Sequence, residues 1–348
     1  MTTTRAHILA SIILTFSTAT ASSEILKIVA PSGVEDRDGS TFIPGATSPF
    51  KAQELYLSSD FESLPEGGAW LVATAERADT GQRRSVNVAY DDVQITFGTT
   101  TENNLAHSFA ENLGASAVTV VDGSVELTYE IIPESPNPFS ATWQFDTPYF
   151  YDPAAGNLVV DLTTSSGADR AVRLDSQRVS EFRGNGGGPN STRANMLYAN
   201  SFIQQFTFVP VGDINFDGAV DATDVDALTP GPFDLNGDFV IDESDRTFWV
   251  EEIVSTWFGD SNLDGEFNSG DLVDVFKAAK YELDIDAAWS DGDWNGDRRF
   301  DSGDLVVAFK NAGYERGPRA AAHAVPEPSS LLLFIPIVLA VIRRRLNS

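Results

Sequence analysis

The sequence predicts a mainly β, jelly-roll-like N-terminal sandwich followed by a small α-helical module. Three observations predict it. Short alternating stretches fill the chain up to residue 210, Asp/Asn-rich loops of one spacing recur after it, and the acidic excess is densest around those loops.

The sandwich occupies residues 22–210. Alternating stretches run over 85–90, 93–97, 117–121, 125–131, 142–145, 158–162 and 202–208, separated by Gly, Pro, Asn and Asp clusters. Several short strands at such spacing point to an antiparallel sandwich. The stretch 184–189, Gly-Asn-Gly-Gly-Gly-Pro, reads as a flexible surface loop. Trp143, Tyr149, Phe150 and Tyr151 could stack on sugar rings, but aromatic residues at this density more often fill a core. Asp91 and Asp92 could act as a glycosidase carboxylate pair. As chain neighbours they are expected in a turn instead.

The chain of 348 residues has 51 acidic and 23 basic residues, a formal net charge of −28. Residues 212–316 alone hold 26 acidic against 7 basic, net −19. Such a surface repels nucleic acid and draws cations. There is no cysteine, so disulfides and thiolate metal sites are excluded. Of three histidines, only His107 falls in the expected folded part, which leaves no material for a histidine-based zinc site or triad. A secreted chain without disulfides needs another staple, and a metal is the obvious one.

Calcium (Ca2+) is the metal that the spacing of residues 211–316 fits. A calcium loop sets oxygen ligands at positions 1, 3, 5, 9 and 12 and a backbone carbonyl at 7. Loop one supplies Asp213, Asn215, Asp217, the Ala219 carbonyl, Asp221 and Asp224. Loop two supplies Asp234, Asn236, Asp238, the Val240 carbonyl, Asp242 and Asp245. Loop three supplies Asp260, Asn262, Asp264, the Glu266 carbonyl, Asn268 and Asp271. Loop four supplies Asp293, Asn295, Asp297, the Arg299 carbonyl, Asp301 and Asp304. Position 8 is apolar each time: Val220, Ile241, Phe267 and Phe300. In paired loops that residue is expected to join the two sites. Loops one and three carry Gly218 and Gly265 at position 6, where the chain turns sharply, but Phe239 and Arg298 stand there in loops two and four. Asp-rich turns joining strands would explain one such match; four in series favour calcium.

Loops three and four are an internal repeat. Asp271 to Glu282 parallels Asp304 to Glu315. Leu272, Val275, Phe276 and Ala279 fall at helical spacing, so a helix with one apolar face follows each loop. Residues 243–257 could form a longer helix between loops two and three.

Both ends read as targeting segments. Arg5, the apolar stretch Ile8 to Phe16 and Ala19-Thr20-Ala21 make residues 1–21 a cleaved signal peptide. A linker, 317–324, leads to 325–348. There Pro326-Glu327-Pro328 precedes the apolar run Leu331 to Ile342, which is short for a bilayer, and then Arg343 to Arg345. Positive charge keeps that end cytoplasmic and the rest of the chain outside.

The tail resembles the PEP-CTERM sorting signal of bacterial surface proteins. That resemblance implies an exosortase-type sorting protease as a partner and a place at the cell surface or outer envelope. The loops, each followed by one helix, resemble type I dockerin repeats. That likeness implies pairing of the loops and a cohesin-like partner. The residues at positions 10 and 11, such as Ala222-Thr223 and Ser269-Gly270, form no consistent recognition pair for such a partner. Gln53 to Tyr56, Thr147 to Asp152 and Gly156 to Asp161 resemble sandwich segments of other PEP-CTERM proteins. No nucleophile elbow or phosphate loop is present. The expected function is therefore a secreted, surface-sorted calcium-binding protein with a binding or matrix domain. The alternative is a unit that binds or degrades polysaccharide, recruited by docking.

Overall fold

The computed structural model describes residues 25–42, 47–114, 117–228 and 242–319, with Leu235 and Val240 between them. The expected signal peptide, the expected sorting tail and Asp234, Asn236 and Asp238 of loop two lie outside the described residues. Among the described residues, no helix is long and apolar enough to cross a membrane.

The N-terminal part is built of strands: β1 (Leu26–Ala30), β2 (Ser40–Phe42), β3 (Phe50–Tyr56), β4 (Ala69–Glu76), β5 (Val86–Thr100), β6 (Val118–Tyr129) and β7 (Ala141–Tyr151). β8 (Asn157–Thr164), β9 (Leu174–Arg178), β10 (Gly184–Gly187), β11 (Met196–Tyr198), β12 (Asn200–Phe202) and β13 (Gln204–Val209) follow. One sheet has the order β1-β13-β4-β7 and a second has β11-β10-β3-β8-β5-β6. A third, small sheet has the order β12-β9-β2. The two large sheets share one core, which includes Leu71, Phe206 and Phe208 from the first and Ile95, Phe97 and Leu158 from the second. Trp143, Tyr149 and Tyr151 belong to that core, and only Phe150 of the aromatic cluster is exposed.

The core pattern explains several departures from expectation. Stretches 85–90 and 93–97 are one strand, β5. Its core residues are Val88 and Tyr90, then Val93, Ile95 and Phe97, so the two-residue period slips once. The slip is a bulge between Tyr90 and Val93, and it holds Asp91 and Asp92 inside a strand rather than in a turn. Stretch 184–189 is not a surface loop over its first half. It is β10, paired with β3 and β11, and Asn185 is fully buried against Gln53. Glycine is needed at 184, since a Cβ there would sit 1.6 Å from the Tyr198 ring.

β4 is buried along its whole length. Ala69 and Leu71 point into the sandwich core, whereas Trp70 and Val72 join a second core with the C-terminal module. Val209 of β13 joins the same second core. A strand covered on both faces shows an unbroken apolar run instead of alternation, and Ala-Trp-Leu-Val-Ala reads that way.

After β13 come α2 (Ala222–Ala227), α3 (Glu243–Phe248), α4 (Ser269–Lys277) and α5 (Ser302–Lys310); α1 (Phe109–Leu113) lies in the sheet region. The expected long helix over 243–257 is shorter. α3 widens into a π turn over Trp249–Ile253 and ends at Ser255, whose φ is +57°. There the Val254 and Thr256 amides bond back to the carbonyls of Trp249 and Val250.

Loops three and four form a pair with approximate two-fold symmetry. The position-8 residues do not meet each other. Instead, the Phe267 carbonyl accepts from the Glu315 amide, and the Phe300 carbonyl from the Glu282 amide, both at 2.8 Å. Each loop is thus tied to the chain leaving the other repeat's helix. Side chains repeat the exchange. Phe267 packs with Phe309 and Tyr314, and Phe300 with Phe276 and Tyr281, edge-on in the two tyrosine contacts and tilted in the others, all with centroids 5.1–5.5 Å apart. Trp294 lies between, 5.9 Å from Phe267 and 6.0 Å from Phe300. Consequently, the expected apolar face of α4 divides. Val275 is buried, Phe276 is half-exposed, and Ala279 lies beyond the helix at φ +57°.

Candidate calcium loops

Each loop closes on the start of a helix in the same way. Position 9 is the N-cap and position 12 the third helical residue, and the two form a capping box. In loop one, Asp224 Oδ2 accepts from the Asp221 amide at 2.8 Å, while Oδ1 accepts from Ile214 at 2.7 Å and Asn215 at 3.1 Å. Asp304 repeats this in loop four with Asp301, Trp294 and Asn295. Asp271 does so in loop three with Asn268 and Ser261. In loop two, Asp245 accepts from Asp242 and Leu235. One short carboxylate thus ties the first residues of the loop to the helix start, which accounts for Asp at position 12. Negative charge in the first helical turn is also favourable.

The carboxylate at position 1 pins the turn. Asp213 accepts from Gly218 at 2.8 Å, Asp260 from Gly265 at 2.7 Å and Asp293 from Arg298 at 2.9 Å. The side chain at position 3 accepts from the amide at 5, and that at 5 from the amide at 7: Asn215, Asp217; Asn262, Asp264; Asn295, Asp297. The residues receiving the last bond are Ala219, Glu266 and Arg299, whose carbonyls are the backbone ligands expected from the sequence. Val240, their counterpart in loop two, is exposed.

The chain is left-handed at positions 4 and 6. Phe216 and Gly218 lie at φ +62° and +91°, Leu263 and Gly265 at +56° and +91°. Loop four keeps the shape with its residues exchanged: Gly296 sits at position 4 and Arg298 at position 6, at φ +83° and +65°. A side chain in that region costs about 1–2 kcal/mol. Replacing Arg298 with Gly is therefore expected to stabilise the loop by about 1 kcal/mol, read from denaturant unfolding of the calcium-loaded chain. A loss of stability would show that Arg298 contributes more than its strain costs.

One signal in the sequence was missed. A glycine precedes position 1 in three loops: Gly212, Gly259 and Gly292, all with φ near +100°. A Cβ on Gly259 or Gly292 would lie 2.5 Å from the ring of Phe267 or Phe300. The position-8 side chain packs on bare backbone there, so the extended motif is glycine, ligands, then an apolar residue.

The loop carboxyls are ranged around each turn. The one trio of carboxylates among the described residues whose oxygens come within 4.8 Å of each other is elsewhere, at Asp38, Asp79 and Asp175. That trio is already engaged. Asp175 pairs with buried Arg77 at 2.7 Å and accepts from the Gly39 amide, Asp79 accepts from Gly81, and Asp38 accepts from Thr80.

Burial raises the pKa of Asp213, Asp224, Asp260 and Asp304. Asp293 is pushed up to about 6, mostly by burial, against the pull of Arg246 and of the Arg298 and Gly296 amides. An acid raised on folding binds more protons in the folded chain than in the unfolded one. Its effect on stability is then favourable at low pH and is lost as pH rises from the ordinary 3.8 to about 6. Calcium-stripped protein is thus expected to recover module helicity as the pH is lowered from 6.5 to 4.5, read by circular dichroism. Helicity unchanged or lower at pH 4.5 would contradict this.

The loops also lock to one another. Arg246 of α3 is buried and donates to the carbonyls of Val225 after loop one and Asp293 in loop four. Trp249 Nε1 donates to the Gly212 carbonyl and Trp289 Nε1 to that of Asp260.

No protein-family model, curated protein or solved structure matches this chain.

Proposed function

We propose that this is a secreted, surface-sorted calcium-binding protein in which residues 211–316 fold on calcium and carry a jelly-roll sandwich as a binding or matrix domain. The observation that supports this most is the recurrence of one loop. Ligand-type residues, left-handed positions 4 and 6, and a position-12 carboxylate in a capping box recur together in loops one, three and four. The donors are carboxylate and amide oxygens, which suit a hard cation such as calcium. The strand orders β1-β13-β4-β7 and β3-β8-β5-β6 support reading the sheets as a jelly roll, an architecture that lectin domains also use. Export by the leader and delivery to an exosortase-type protease complete the reading.

The test is calorimetric titration of the mature chain with calcium. Three or more sites are expected, one each for loops one, three and four. A titration without heat or site would sink the proposal.

A second reading, docking to a cohesin-like partner, gains one observation. Val273 and Phe276 on α4 are 51% and 47% exposed, and their repeat counterparts Val306 and Phe309 on α5 are 65% and 46% exposed. Two matching apolar pairs stand on the surface of the dockerin-like repeat. Calcium-dependent capture by immobilised cohesins, lost in Val306→Asp, would favour this reading and recruitment to a polysaccharide-acting complex.

A further inference from the structure

Between the two large sheets lies a cavity of about 460 Å³, within the usual range for small-ligand sites. Its floor is made by Glu54 of β3, Glu76 of β4, Tyr129 of β6, Trp143 of β7 and Gln204 of β13, all buried. Lys51, Gly187 and the exposed Met196 line its rim, beside β10 and β11.

The hydrogen bonds on this floor are unevenly completed. Glu76 is satisfied: Oε2 accepts from the Tyr129 hydroxyl at 2.5 Å and Oε1 from Gln204 Nε2 at 3.1 Å. That leaves Gln204 Oε1 with no donor. Glu54 Oε1 accepts from Tyr198 at 2.8 Å, but Glu54 Oε2 has no hydrogen bond of normal geometry. Glu54 and Gln204 are only 6% and 7% exposed, so neither oxygen is repaid by bulk water. With Glu54 ionised, both unpaired atoms are acceptors. Lys51, the one cationic residue lining the cavity, is turned to Asp161 at 3.1 Å. The site is therefore rich in acceptors and short of donors and positive charge.

The walls add a second preference. Tyr90, Tyr129, Trp143 and Tyr198 line the space, and aromatic faces attract cations, more so when water is excluded. We infer that this cavity binds the primary ammonium group of an organic amine, with Glu54 Oε2 and Gln204 Oε1 as its acceptors and the aromatic residues around its apolar body. Burial pushes the Glu54 carboxyl well above its ordinary value, with Glu76 adding to this and the Tyr198 hydroxyl and Phe202 amide opposing. A bound ammonium supplies the counter-charge that would restore the ionised form. The inference rests on reading the sheet domain as a binding unit, and it does not depend on calcium occupancy.

The experiment is calorimetric titration of the mature, calcium-loaded chain with 2-phenylethylamine, with its neutral isostere 2-phenylethanol, and with glucose. The amine is expected to bind at least tenfold more tightly than the alcohol. Glu54→Gln keeps the shape and removes the charge; it is expected to lose at least tenfold in amine affinity while near-ultraviolet circular dichroism reports an intact core. Equal binding of amine and alcohol would overturn the inference, as would unchanged affinity in Glu54→Gln. Binding of glucose alone would overturn it and leave the sheet domain a binding unit. Binding of none of the three to the natural chain would overturn the inference without touching the calcium reading.

Discussion

Stripping calcium from the mature chain is expected to unfold residues 212–316 and leave the sheet domain standing. The reasons are charge and size. The module has a net charge of −19, and Asp213, Asp224, Asp260 and Asp304 have their carboxyls buried almost completely. Under the proposed function, bound calcium would offset that repulsion and its binding energy would become folding energy. Without it, four helices of six to nine residues are too short to persist alone. The sheet domain keeps its own core and contains none of the four loops. Trp249, Trp289 and Trp294 are fully buried in the module, so their fluorescence should shift to the red on chelation. Proteolysis should then cut within 212–316 and spare 25–209. Identical spectra and digests with calcium and with chelator would refute the expectation.

The second large effect belongs to the paired repeats. Phe267→Ala in the calcium-loaded protein is expected to cost about 3–5 kcal/mol, the usual loss for a buried phenylalanine. Phe267 is fully buried, touches Phe309, Tyr314 and Trp294, and fills the space above Gly259. Phe300→Ala should cost nearly as much, because its neighbours are the symmetry counterparts, Phe276 and Tyr281, with Trp294 shared. Because both rings lean on Trp294, the double variant should depart from additivity. Denaturant unfolding of the singles and the double tests this. Costs below about 1 kcal/mol would mean that the pair is not a unit.

The sequence made the acidic loops and their helices legible, because ligand-type residues and apolar positions recur at fixed offsets. Sequence reasoning put Asp224, Asp245, Asp271 and Asp304 at the starts of helices, and the capping boxes lie there. It missed the exchange between repeats. Position 8 pairs across the symmetry axis with Glu282 or Glu315, and nothing in one repeat read alone reveals its partner. It missed β4 because Ala69 to Ala73 does not alternate, and β10 because a Gly-rich strand looks like a loop. Gly184 is there for Tyr198, fourteen residues away in the chain, and such a demand is invisible locally. The floor of the cavity was illegible for the same reason. Glu54, Glu76 and Gln204 come from strands far apart in sequence and meet only when the sheets close.

β4 has a consequence for the protein when calcium is scarce. Trp70 and Val72 stand on its outer side, with Val209 beside them on β13, and the helices that cover them belong to the module. Melting the module would strip that cover and present a sticky indole-bearing face on an otherwise intact domain. Calcium-poor surroundings would then turn a dispersed, strongly negative molecule into one that adheres to its own kind, and the transition would be sensed at a strand whose far end, Glu76, reaches the cavity floor.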